Sequence, residues 1–295
     1  MNNLLQDIRM QFSGATALYR LLAINVVLFL AITIVRTVFF LGGADTEILN
    51  WFIGKLSLPA SMPHLVFQPW SLISYMFLHT DFLHILFNLL VFYWSGRLFT
   101  EYLGNDKLWA TYVLGALCGA LFYLLAFNIF PAFAVQRETA HLMGASAGVI
   151  AVMVAIATLL PDYTIFLLVF GAVRLKYVAL VSILLYFISI PLGNAGGHIA
   201  HLGGAFFGYF FIRRLRSGQD LSAGLITLSR FRLRKKAPMQ IVRAASLGKG
   251  TRNDGLSQQE IIDRILDKIN KSGFDSLSRD EKEMLYKASG RKGMD

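Results

Sequence analysis

Six stretches of mostly apolar residues, each near the length of a membrane-crossing helix, dominate this sequence: 18–41, 70–94, 108–130, 143–160, 175–192 and 198–213. A hydrocarbon core of about 30 Å is crossed by roughly 20 such residues in a helix. Only a helix or a closed barrel satisfies its own backbone hydrogen bonds there. Composition agrees, because 55% of the 295 residues are hydrophobic and 16% charged, against about a quarter charged in an ordinary soluble domain. The expected fold class is therefore an all-α membrane protein with six transmembrane helices. An even number of crossings puts both termini on one side. The N-terminal stretch MNNLLQDIRMQF lacks the basic, apolar and small-residue sequence of a cleaved signal peptide, so the first apolar segment is expected to remain.

Charge then orients the bundle. Of the 28 Lys and Arg residues, 19 lie in 213–295 with 10 of the 18 Asp and Glu, which leaves 1–212 nearly neutral. A basic segment directly after a membrane span follows the positive-inside rule and meets anionic lipid, rather than nucleic acid. Short loops on the side of the termini carry Arg97, Lys107, Arg174 and Lys176; those opposite carry Lys55 and Arg137. Both termini are expected in the cytoplasm of a cell-membrane protein. Segment 161–174 is too short to cross alone and is expected at the interface, with a longer, tilted span five as the alternative; 42–66 reads as a partly embedded outer loop. The domain organisation expected is a cytoplasmic segment 1–17, a membrane domain 18–213, a basic flexible linker 214–255 and a helical hairpin 256–295. That hairpin is signalled by capping boxes, S-Q-Q-E at 257–260 and S-R-D-E at 278–281, with Gly273 as a stop between two short helices. Nothing in the sequence names the tail's partner. Cys118 is the single cysteine, which excludes an intrachain disulfide.

Polar side chains inside a membrane are costly and mark function. All six histidines, His64, His79, His84, His141, His198 and His201, fall toward the non-cytoplasmic ends of spans or in outer loops. On span two, H-I-L-F-N puts His84 and Asn88 one helical turn apart on one face. Both can donate hydrogen bonds to a developing negative charge, or serve as interhelical glue. Span four opens with G-A-S-A-G, where Gly144, Ala147 and Gly148 leave the backbone around Ser146 nearly bare. Span six places His201, Gly204 and Gly208 on one face, so that it can dock closely on span four and bring His201 to Ser146. A serine hydroxyl becomes a useful nucleophile only with a base at hydrogen-bond distance. No acidic residue in the spans offers itself as a third member, so a dyad is expected, with His201 held by packing and aromatic stacking.

Together these residues resemble the rhomboid intramembrane proteases: H-x-x-x-N at His84 and Asn88, the serine motif at Ser146, and H-x-x-G-x-x-x-G from His201, on spans two, four and six. The resemblance covers about 18–213. It implies a six-helix rhomboid-like bundle, a serine endopeptidase with Ser146 and His201 as catalytic dyad, and an oxyanion hole from His84, Asn88 and the Ser146 amide. It implies no cofactor and no metal; the partners are transmembrane protein substrates and membrane lipids. G-R-L-F-T-E at 96–101 resembles the family's turn after span two, with Glu101 as a structural tie. Two features depart from the pattern. Ala147 follows the serine where glycine is usual, a methyl expected to require slight separation of helices four and six, and 42–66 has no Trp-Arg pair. A non-catalytic rhomboid-like binder of membrane proteins, a metal-dependent hydrolase and a transporter are the other readings. The last two lack an H-E-x-x-H motif and internal repeats, respectively.

Overall fold

The computed structural model describes residues 16–167, 171–233 and 258–288. The chain divides into two compact units, Met1–Lys235 and Lys236–Asp295.

In the first unit α1 (Ala17–Leu41) is followed by α2 (Glu47–Leu56), β1 (Leu58–Pro59), α3 (Met62–Phe67) and the single turn α4 (Ser71–Ser74). Then come α5 (Phe82–Leu103), α6 (Asn105–Ile129), β2 (His141–Leu142), α7 (Ser146–Leu159), β3 (Thr164–Leu167), β4 (Gly171–Arg174), α8 (Leu175–Ser189), α9 (Ala195–Arg216) and α10 (Ala223–Leu233). Among the described residues α1, α5, α6 and α8, the last with its 3-10 extension to Leu192, are long and apolar enough to cross a membrane. The 14-residue α7 is apolar but shorter, and α9 has the length, its apolar character diluted by two histidines and five glycines.

Several boundaries differ from those read in the sequence. The second span begins at Phe82, not at 70, because α4 and a 3-10 turn at Tyr75–Phe77 end in extended Leu78. Asp81 then caps α5 by accepting the His84 backbone N–H at 2.7 Å. The stretch 96–101 is no turn: it lies within α5, which ends at Gly104 with φ of 82°. Within segment 161–174, expected at the interface, β3 and β4 pair antiparallel, with Thr164 opposite Arg174. The outer loop 42–66 is organised by α2, α3 and the pairing of Leu58 with Leu142. Within the linker expected over 214–255, α9 runs to Arg216 and α10 follows; residues 234–255 lie outside the described residues, as do residues 1–15.

Packing is tightest among α6, α7 and α9. Residues 147–157 of α7 are all buried, whereas α1 buries only Leu18, Leu21 and Asn25, and α8 only Leu175 and Ala179. A helix apolar all round is suited either to a protein core or to lipid, and α7 takes the first place, α1 and α8 the second. Close approach depends on absent side chains. A Cβ at Gly204 would strike the Ala147 carbonyl, and one at Gly208 the Ala151 carbonyl. On the α6 side, a Cβ at Gly148 would lie 2.7 Å from the Tyr112 carbonyl.

The Ala147 methyl meets this lattice on a side the sequence did not suggest. It faces Gly119 of α6, where a Cβ would stand 2.6 Å from the Ala147 Cβ and 2.7 Å from the Ala200 carbonyl oxygen. Helices α7 and α9 therefore need not separate for the methyl, because α6 gives it room. Gly119→Ala is expected to lower stability by about 1–3 kcal/mol, the usual range for overpacking, and Ala147→Gly in that background should restore part of it. The melting temperature in detergent checks both. Wild-type melting of Gly119→Ala would remove this account of the methyl.

The second unit contains α11 (Gln258–Ser272) and α12 (Arg279–Ala288), joined through Gly273 at φ of 78°. Ser278 and Glu281 form a reciprocal capping box, with N–H to side-chain distances of 2.7 and 3.3 Å. Lys268 donates to Glu281 at 2.7 Å and, with Ser278, holds that carboxyl below its usual range. Ser257, which would open the earlier box, lies outside the described residues.

Candidate functional site

The site is assembled at the N-terminus of α7. Ser146 is its first residue, and Val149 is the first to bond back, donating to the Ala145 carbonyl at 3.0 Å. The amides of Ser146, Ala147 and Gly148 thus have no intrahelical acceptor, as at any helix start, and give that end a partial positive charge.

From α9, His201 places Nε2 at 2.6 Å from Ser146 Oγ. The contact is short because Gly204, one turn further on, lets the α9 backbone lie against Ala147. The other ring nitrogen, Nδ1, is buried and has no hydrogen-bond partner among the described residues. Among the described residues no carboxylate orients this imidazole. It is held by rings: Tyr186 of α8 meets it edge-on at 4.5 Å between centroids, and His198 stands at 6.0 Å. With Nδ1–H and unprotonated Nε2, the imidazole would accept the Ser146 proton.

Gly144 occupies a backbone conformation with φ of 125°, which strongly favours glycine. A Cβ there would lie 3.0 Å from His84 Cε1, 3.4 Å from His84 Nε2 and 3.7 Å from Ser146 Oγ. The missing side chain leaves open the space between His84 and the hydroxyl. Asn88, buried one turn below His84, donates its amide to the His84 carbonyl at 2.9 Å and retains a second N–H.

The loop before Ser146 hangs on the segment preceding α5. Gly144 N–H donates to the Tyr75 carbonyl at 2.9 Å, Ala145 N–H to His79 Nε2 at 3.3 Å, and Thr80 Oγ1 to Met143 S at 3.7 Å. That segment is tied to the core by Tyr75, whose hydroxyl donates to Ala116, and by Tyr112, which donates to the Met76 carbonyl. His79 is fully buried and stands 5.2 Å from the His84 ring. Sequence reasoning placed it only among the histidines of the non-cytoplasmic side; its role as the acceptor that fixes Ala145 appears only when residues 79 and 145 are brought together in space.

The structure thus gathers Ser146, His201, His84, Gly144 and Ala147 at one place, with Asn88 one turn away and Gly148, Gly204 and Gly208 in the packing behind. His64 and His141 lie apart, beside α2. Among the described residues no three His, Cys, Asp or Glu side chains are grouped to hold a metal ion.

Residues 252–291, around α11 and α12, match a family of unknown function (DUF6576). The chain is 30% identical over 158 residues to RHOMBOID-like protein 12, mitochondrial, of Arabidopsis thaliana, a match covering 50% of this chain and 47% of that protein. The chain therefore spans about half the length of the curated relative it matches. Residues 66–217, just over half the chain and the stretch that contains every side chain of the site, match the Rhomboid domain. The chain belongs to the rhomboid family of multi-pass membrane proteins.

Proposed function

We propose that this protein is an intramembrane serine endopeptidase, which cleaves transmembrane segments of other membrane proteins with a Ser146–His201 dyad. The observation that carries the reading is the 2.6 Å contact between His201 Nε2 and Ser146 Oγ. His201 accepts the hydroxyl proton as Oγ attacks a peptide carbonyl, then returns it to the leaving amine. The oxyanion forms beside Gly144, where the Ser146 amide, His84 and Asn88 can donate to it. Water then releases the acyl-enzyme.

Helix length supports a reaction within the bilayer. At about 1.5 Å per residue, α7 is about 21 Å long, some 9 Å short of a hydrocarbon core of about 30 Å. With the end of α7 at one interface, Ser146 lies several ångströms below the other. The basic loops and tail favour a cell-membrane protein with both termini in the cytoplasm and the site toward the non-cytoplasmic side. A substrate helix must unwind locally to present a carbonyl there, because a helical carbonyl is already hydrogen-bonded.

A fluorophosphonate probe tests the nucleophile directly. Purified protein should be labelled at Ser146, Ser146→Ala should not, and a panel of single-span substrates should be cut only by the form that labels. Cleavage without labelling, or labelling unchanged in Ser146→Ala, would assign the chemistry elsewhere. The rival reading, a rhomboid-like binder without catalysis, predicts neither labelling nor cleavage in the wild type.

A further inference from the structure

At the end of the bundle away from Ser146, α7, α8 and α9 border a cavity of about 440 Å³. Its lining joins apolar groups such as Ala179 and Leu180 to Tyr209 and three cations, Lys176, Arg213 and Arg216. The cations are differently engaged. Arg216 uses Nη2 to cap the end of α7, donating to the Thr158 and Leu159 carbonyls at 3.0 and 3.1 Å, and so is fixed in place. Lys176 bonds Asp162 at 2.7 Å, a carboxylate it shares with Arg174 at 3.3 Å. The Arg213 side chain makes no hydrogen bond or ion pair among the described residues. One shared, exposed carboxylate thus stands against a surplus of positive charge beside an apolar groove.

We propose that this groove binds an anionic phospholipid, with its phosphodiester between Arg213 and Lys176 and an acyl chain along Ala179 and Leu180. Guanidinium groups present paired donors suited to phosphate oxygens, and basic pockets between membrane helices are suited to anionic headgroups. The apolar lining favours a lipid over free phosphate. Lys176 belongs to α8 and Arg213 to α9, so the bound headgroup would join α8, which buries only Leu175 and Ala179, to the central helices. The site is independent of the chemistry assigned to Ser146.

The test is lipid binding by the full-length protein, read by native mass spectrometry during titration with phosphatidylglycerol or phosphatidylcholine. Phosphatidylglycerol should bind more tightly. At about five-fold per cation removed, Arg213→Gln should weaken it about five-fold and Lys176→Gln/Arg213→Gln about 25-fold. Arg214→Gln is the control, because that guanidinium lies over Phe210 and bonds Gln219 outside the groove; it should change affinity less than two-fold. Equal binding of the two lipids, wild-type affinity in Arg213→Gln, or an equal loss in Arg214→Gln would each overturn the site. Displacement of the lipid by equimolar inorganic phosphate would overturn a lipid as its occupant. Arg213→Gln breaks no side-chain hydrogen bond or ion pair among the described residues, so it remains informative if the double variant fails to fold.

Discussion

Ser146→Ala and His201→Ala are each expected to reduce cleavage of a single-span substrate by about 10⁴–10⁶-fold, the range for removing one member of a nucleophile–base pair. The two residues form one functional unit: the hydroxyl has its base at 2.6 Å, and the imidazole has no other acceptor or donor among the described residues on Nδ1. The double variant should accordingly be little worse than either single one, since the second change removes a group that has already lost its partner. Stability should change far less than activity in Ser146→Ala, because one hydrogen bond contributes about 1 kcal/mol. Single-turnover cleavage followed by mass spectrometry measures the rates, and thermal unfolding in detergent provides the control. Wild-type cleavage by Ser146→Ala would falsify the dyad.

Much of this site was legible because the side chains involved are chemically conspicuous where they fall. Histidines, an asparagine and a serine stand out in apolar segments, and the helical period alone sets His84 over Asn88 and His201 over Gly204. The hairpin around Ser278 and Glu281 was legible for a similar reason, since a capping box is a local interaction. What sequence reasoning missed is tertiary or conformational. His79 reads as one more histidine of the non-cytoplasmic side until it accepts from Ala145, 66 residues away. The room for the Ala147 methyl is supplied by Gly119, on a helix whose facing register no local pattern reveals. The early start assigned to span two arose because Trp70–Leu78 is as apolar as a helix continuation; the signal against it was Asp81, a good N-cap three residues before the amide it accepts. The β-branched Thr164 and Ile165 and the turn-permitting Gly171, at φ of 67°, were the available signs of the β3–β4 pairing, masked by a composition equally suited to an interface.

Asn88→Ala is expected to lower kcat by about 100–1000-fold, the usual effect of removing one oxyanion donor, while leaving Ser146 and His201 in contact. The alternative role for a buried asparagine in a membrane helix is to join two helices. The geometry argues against that: among the described residues the Asn88 amide bonds only the His84 carbonyl, in its own helix. Removing it should therefore change the melting temperature little and the rate greatly. His84→Ala should lose activity on a similar scale, although the ring also stands against His79, which holds Ala145, so part of that loss would come from displacement of the serine loop. Neither change should abolish the reaction, because the Ser146 amide at the head of α7 remains available to the oxyanion. Fluorophosphonate labelling separates the two functions. Asn88→Ala should still label at Ser146, only more slowly, since the nucleophile and its base are intact. A wild-type kcat with a lowered melting temperature would instead make Asn88 a structural residue, and leave the oxyanion to His84 and the backbone.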